Sequence, residues 1–519
     1  MGSSNKGDRV VKAMDFRERD IAGIDVMPGM TAPNQNNDVA SGLDGAAQQG
    51  SNPSVPNKAY DKQKKDWEVI DNVLGGTRRM RELSETADSN SIYILKKKRE
   101  KSDAYERRIL ISIMKQFFGD ALDEFTGLAF MKEPSLKSEN KELVDFTKDV
   151  TKEGDDLGTF SRQFFRMVTR YGHSYILVDA PAPVGEIENL EQYRALDASA
   201  YMLAVKATDV ISWFTTKSAG GNKLTLAVIK ETVIERVGDF GEKEIQQYRV
   251  LTVGTNFIFR KNKDGKFLPI DKKGFSTGLD YIPLFAAYSD PEHGFFTSTP
   301  PLIELAYGQI KDYQLLSDYD RGTEIVAFPT MVMSGLSDEE AQSVSAAVGP
   351  TRGVAVSVDG KIYFAEITGK GAELLQWRID ENKKHLGEVA LSFNLKDSAA
   401  VKTATGEMME SKLQGSKMVF TIKSCENTVN QAYGAVVDIN KWEIDKGNDR
   451  VQFFKDFNNV PNPQAAEQRL KLFLSGVIDW PTLIRGSIKD EIISEDTDII
   501  EMEKNLDIEP SGDGVPVVK

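Results

Sequence analysis

Cysteine is almost missing from this chain. Among 519 residues only Cys425 carries a thiol, so no intrachain disulfide can form, and a reducing, cytosolic assembly site is the default expectation. The three histidines, His173, His293 and His385, lie far apart, and with one cysteine they make no zinc signature. No apolar run approaches the ~18 residues needed to cross a bilayer, so no membrane partner is expected, and the first residues lack a signal-peptide pattern. The phosphate-cradling pattern G-x-x-x-x-G-K-[ST] is absent, because Gly265-Lys266 and Gly369-Lys370 lack both the upstream glycine and the following hydroxyl. The chain therefore does not look like a nucleotide-driven motor, and no cofactor is expected. Positive charge is in deficit: 65 Lys and Arg against 79 Asp and Glu give a net charge of −14. That balance argues against gripping nucleic acid over the whole surface, but does not exclude a protein past which nucleic acid must slide.

What is present is an ordinary globular composition, 40% hydrophobic and 28% charged, with length enough for several modules. The most informative stretch runs from Pro300 to Asn440. Ile303, Ala306, Ile310, Tyr313 and Leu316 recur at three- and four-residue steps and predict one apolar stripe on a long helix. A compact β insertion follows, with alternating runs Val354 to Val358 and Ile362 to Ile367 around an Asp359-Gly360 hairpin turn. A second helix comes next, from Ala372 to Phe393, then the polar stretch Asn394 to Gly406, then a third helix rich in Ser, Lys and Met.

Elsewhere, the first sixty or so residues are rich in Asn, Gln, Gly, Ser and Pro and read as an unfolded arm; the last residues, 506–519, read likewise. From Asp61 to about Lys132 the pattern is helical, with Ile109, Ile113, Phe117, Ala121 and Phe125 at steps of four. The basic run Lys96-Lys97-Lys98-Arg99 reads as a solvated face or turn, with nucleic-acid contact as the sharper alternative. A helix begins near Asp155-Asp156, buries Leu157, Phe160, Phe164, Val168 and Tyr171, and stops at Gly172, where the strand His173 to Asp179 starts. His173 reads as packed rather than catalytic. Between Ala200 and Phe267 the period changes to two, predicting an antiparallel sheet of about four to six strands and so an α+β fold. Residues 441–459 read as an extended pair. Leu470, Leu472, Phe473 and Leu474 load a short helix ended by Gly476, and Asp479-Trp480-Pro481 caps the next.

Two chemical constellations can be drawn. Gly274-Phe275-Ser276-Thr277-Gly278 fits the nucleophile elbow G-x-S-x-G, with Asp318 and His385 downstream in triad order. Its context fails, because Lys272-Lys273 precede it and Pro283 follows, where an apolar strand and a helix are needed. Asp318, Asp320 and Glu324 can be imagined as a metal site, but their spacing on a helix does not converge on one point. Neither a catalytic nor a metal site is expected. Lys383, Lys384, Lys396 and Lys402 fall on or beyond the second long helix, among acidic residues. In a ring of identical subunits each becomes a circle of modest positive charge, which locates a duplex without retaining it.

The order of these elements resembles the portal, or head-to-tail connector, proteins of tailed bacteriophages, from about Tyr93 to Asn505. The resemblance lies in Ala104 to Pro134, Asp155 to Pro181, Ser317 to Leu336, Thr403 to Asn440 and Leu470 to Ile492. It implies an elongated α+β subunit of a ring, usually a dodecamer, at one capsid vertex, a channel for packaging and ejecting double-stranded DNA. The implied parts are a disordered arm (1–60), a wing (61–299), a first stem helix (300–325), a β clip (326–372), a second stem helix (373–393), a tunnel loop (394–405), a wing helix with return strands (406–459), α-helical crown (460–505) and a tail. The tunnel loop would present Asn394, Leu395, Asp397, Ser398 and Thr403, with Gly406 breaking the helical pattern and Thr403 or Thr405 capping the helix that restarts at Glu407. Partners implied are double-stranded DNA, further copies of the chain, major capsid and scaffolding proteins, the terminase large subunit and tail adaptor or neck proteins, in a virion assembled in the host cytoplasm. Other ring-forming neck or collar proteins are the structural alternative, and a serine hydrolase using Ser276 the enzymatic one.

Overall fold

The computed structural model describes residues 52–86, 93–98, 100–181, 199–218, 221–327, 330–335, 361–365, 369–389, 404–442, 449–454 and 463–489. The described helices are α1 (Lys58–Leu74), α2 (Gly76–Thr86), α3 (Ser102–Ile111), α4 (Phe117–Ala129), α5 (Lys141–Phe146), α6 (Leu157–Tyr171), α7 (Ile303–Ala327), α8 (Lys370–Val389), α9 (Ala404–Asn440), α10 (Pro463–Leu474) and α11 (Trp480–Lys489). The strands are β1 (Ser135–Lys137), β2 (His173–Asp179), β3 (Tyr201–Lys206), β4 (Val210–Ser218), β5 (Gly221–Val237), β6 (Gly241–Thr252), β7 (Thr255–Lys261), β8 (Phe267–Pro269), β9 (Phe275–Ser276), β10 (Leu284–Tyr288), β11 (Thr330–Ser334), β12 (Lys361–Ala365) and β13 (Arg450–Gln452). The fold is α+β, and the chain divides into two compact units.

The smaller unit, whose described part is residues 52–57, 209–218 and 221–282, is an antiparallel sheet of order β4-β5-β6-β7-β8, with β9 also pairing β7. Both faces are covered at the middle of β5 and the end of β6, where Ala227, Val228, Ile229, Val250 and Leu251 are all buried, as are Phe257 and Phe259 on β7. Polar partners cross the strands: Arg249 Nε donates to Glu231 at 2.6 Å, Gln247 Nε2 to the same carboxylate at 2.8 Å, and Arg260 Nε to Gln247 Oε1 at 2.9 Å. A tight hairpin forms at Lys263–Lys266, with Gly265 at φ +82° and the Asn262 N–H donating to the Lys266 carbonyl. The run Tyr201 to Phe214 forms two strands. It turns at 207–209, where the Asp209 carbonyl accepts from Lys230 N–H, and β3 and β4 join different sheets.

In the larger unit a three-stranded sheet of order β10-β2-β3 puts β2 at its centre, buried from His173 to Val178. Helices α6 and α9 pack on it and on each other. Helix α6 has the expected span and buries all five expected residues. Asp156 caps it by accepting from Thr159 N–H at 2.7 Å, and Gly172 ends it in the left-handed region at φ +87°. A Cβ on Gly172 would lie 2.7 Å from the Ser298 carbonyl oxygen, so the close approach also demands glycine.

Three readings are corrected. The steps of four from Ile109 to Phe125 do not continue through one helix. The chain is extended at Ser112, α3 and α4 separate there, and Ile113 is 64% exposed while Met114 and Phe118 are buried instead. The strand around Val451 does not pair locally: β13 pairs antiparallel with β1, Leu136 opposite Val451. Asn430 on α9 holds its other edge, its amide donating to the Val451 carbonyl and accepting from the Val451 N–H, both at 2.9 Å. Finally, α9 begins at Ala404, so Thr405 and Gly406 lie inside the helix. One glycine costs about 1 kcal/mol, which a 37-residue helix absorbs. Helices α10 and α11 form where expected, with Gly476 at φ +71° and Asp479 accepting from Thr482 N–H at 3.1 Å. However, Leu470, Leu472 and Leu474 are each at least 42% exposed.

Candidate functional site: the paired helices and their polar clamp

Helix α7 carries the expected stripe, with Ile303, Ala306, Ile310 and Tyr313 buried and Leu316 half-buried. In the β insertion, strand β12 forms over Lys361–Ala365 and pairs antiparallel with β11, Thr330 opposite Ala365 and Ser334 opposite Lys361. The run Val354 to Val358 and the Asp359-Gly360 turn lie outside the described residues. The chain therefore goes out along α7, through β11 and β12, and returns along α8.

Helices α7 and α8 run antiparallel against each other, since Gly308 meets Leu386 and Gly322 meets Leu375. Gly308 permits the approach: a Cβ there would stand 2.5 Å from Leu386 Cδ2. The Asn382 amide donates to the Gly308 carbonyl at 3.2 Å. Beside this contact Asp312 is buried, and neither carboxylate oxygen has a hydrogen-bond partner among the described residues by distance and angle. Burial pushes its carboxyl above the usual carboxylate range, opposed by the charges of Lys115 and Lys383 and by the Asn382 amide.

The opposite face of α7 is held by a clamp. Glu100, almost wholly buried, accepts from Arg108 Nη2 at 2.7 Å, Arg108 Nε at 2.9 Å, Arg321 Nη1 at 2.5 Å and Lys97 N–H at 3.0 Å. Burial works to raise the Glu100 carboxyl, but the Arg108 and Lys97 hydrogen bonds and the charges of Arg108 and Arg321 outweigh it and hold it below the usual range. Arg108 Nη1 also reaches Ser317 Oγ at 3.4 Å, Lys97 pairs with Asp318 at 2.7 Å, and Arg107 with Glu324 at 3.3 Å. The basic run thus supplies Lys97 to α7. The clamp escaped sequence reading because its members lie on three separate segments; the one signal was Glu100 directly after four basic residues.

The other sequence-derived residues are dispersed. Lys383 is half-buried and lies 3.8 Å from Asp380, while Lys384 is exposed. Lys396 and Lys402, and Asn394, Leu395, Asp397, Ser398 and Thr403, lie outside the described residues. Asp318 and Glu324 are taken by basic partners, and Asp320 is raised by burial, opposed by Lys115. No group of three metal-ligating side chains occurs among the described residues. Ser276 is itself in strand β9, pairing Thr255 on β7, and no helix follows before Ile303. It has no elbow. His173 is buried against Trp67, Tyr175 and Tyr288, and burial lowers its imidazole to about 3, so it stays neutral.

A family profile described as a domain of unknown function (DUF4055) matches residues 301–438, from the start of α7 to near the end of α9. No curated protein matches the chain. Among solved structures, the chain is similar to a chain in the virion of a native gene transfer agent particle, at 9% identity and a TM-score of 0.39, over 70% of this chain and 87% of that one. It is similar also to chains in the neck of the native particle computed with C12 symmetry (10%, 0.38, 70% and 86%) and in the neck of the empty particle computed with C6 symmetry (10%, 0.39, 70% and 88%).

Proposed function

We propose that this chain is the portal subunit of a tailed-phage-like particle, one wedge of a ring through which double-stranded DNA is packaged and ejected. The observation that carries the reading is the order α7, β11–β12, α8, α9, the helix–insertion–helix–helix succession whose sequence resembles portal proteins. In this reading α7 and α8 are the stem, residues 326–372 the clip that docks the terminase large subunit and later the tail adaptor, 394–405 the tunnel loop, and residues after 460 the crown. Capsid and scaffolding proteins would meet the wing. At 25 and 20 residues, α7 and α8 are about 38 and 30 Å long, or roughly ten base pairs of duplex. Their rigidity is supported by the Glu100 clamp on one face of α7 and the Gly308 contact on the other. In this reading Lys384, with Lys383 beside it, gives the ring weak positive charge, which lets DNA slide where a strongly basic wall would retain it.

Negative-stain imaging of the purified full chain tests the proposal. Rings with an axial hole wide enough for a duplex are expected; monomers under every assembly condition would end it. Ser276→Ala should assemble as the parent does. Ester hydrolysis by the parent that this substitution abolishes would instead favour the enzyme.

A further inference from the structure

Helix α7 has two outward neighbours on opposite sides. At about 100° per residue, Gly308, Tyr319 and Gly322, which face α8, share one sector, whereas Ser317, Arg321 and Glu324, which face α3 and its flanking chain, lie about 180° around the helix. Each neighbour leaves apolar side chains uncovered. On α8 these are Leu374 (61% exposed) and Trp377 (55%), the latter on the rim of a shallow groove with Tyr319 and Glu373. Around α3 they are Leu110 (63%), Ile111 (45%) and Ile113 (64%). A cluster of this kind on a soluble surface marks an interaction site.

The two patches are opposite in charge. Apart from Glu100 and Arg108, which are buried in the clamp, residues 98–115 carry five Lys and Arg against two Asp and Glu; over 373–381, Asp and Glu outnumber Arg three to one. Two different apolar patches of opposite charge, on opposite sides of one helix, fit each other on successive copies, and such head-to-tail contacts close into rings when the rotation allows. We infer that the Leu374–Trp377 face of one subunit docks on the Leu110–Ile113 face of the next copy of this chain. This rests on the ring reading and assigns its interface. Trp377 is the anchor, entering the apolar ridge while Glu373 and Asp380 meet Lys101 of the neighbour.

Cys425 is fully buried and need not be removed, so new thiols report the contact. Full-length Leu110→Cys and Trp377→Cys chains are assembled separately, mixed, and together as a double variant, then treated with a short bis-maleimide. Cross-linked dimers are expected from the mixture, none from either alone, and a ladder ending at the ring's subunit number from the double variant. Trp377→Glu should raise the concentration needed for assembly by more than about tenfold. Rings that form without these cross-links, or that cross-link through one position alone, overturn the interface and leave the ring intact. Absence of rings in the parent protein overturns both.

Discussion

Glu100 is the residue on which the seating of α7 depends most. Its carboxylate is buried among Arg108, Arg321 and Lys97 N–H. Glu100→Gln leaves the buried Arg108 guanidinium with only Asp318, 3.7 Å away, as counter-charge, and we expect a loss of about 3 kcal/mol in denaturant unfolding. Because the carboxyl is depressed in the folded chain, its contribution is present above the unfolded carboxylate pKa and is lost as pH falls through the folded value. Asp312 has the opposite sign. Its folded carboxyl is raised, so it favours folding below the unfolded value and costs stability as pH rises through the folded one. Asp312→Asn should therefore raise the melting temperature at pH 7 and leave it nearly unchanged at pH 4. An equal gain at both values would show that charge burial is not the cause. Gly172→Ala should cost at least about 1–2 kcal/mol from the left-handed backbone alone, with the Ser298 carbonyl contact adding to it.

At the scale of elements, the α7–α8 contact gives a direct test. Gly308→Val should lose about 1–3 kcal/mol because its side chain meets Leu386, and Leu386→Ala in the same chain should recover part of that loss. Additive losses would mean that the two helices do not meet there. Helices with a regular apolar period and clear end signals were legible in the sequence: α6, with Asp156 before it and Gly172 after, and α7, with its stripe of Ile303, Ala306, Ile310 and Tyr313. Elements decided by distant partners were not. Strand β13 takes its place from β1 and from the Asn430 side chain, 21 residues from Val451. The break at Ser112 was hidden because Ile109, Ile113 and Phe117 keep a helical spacing across chain that is not helical. Strand β12 was legible as a strand, but its partner β11 was not, since nothing in a single strand's alternation says which edge it joins.

For the whole molecule, the sequence carried the fold class and the succession of long helices, while the polar clamp emerged only in three dimensions. Lys97, Glu100, Arg108 and Arg321 look like scattered surface charges until α3, α7 and the chain before α3 come together. The two apolar faces flanking α7 were equally hidden, because exposed leucines in amphipathic helices look like core residues in one dimension. The proposed function requires that copies of this chain close around an axis. End-on single-particle averages of the purified full chain test it most directly. Closed rotational symmetry around a hole that admits a DNA duplex is expected; an open filament, or a monomer at every concentration tried, would rule the ring out.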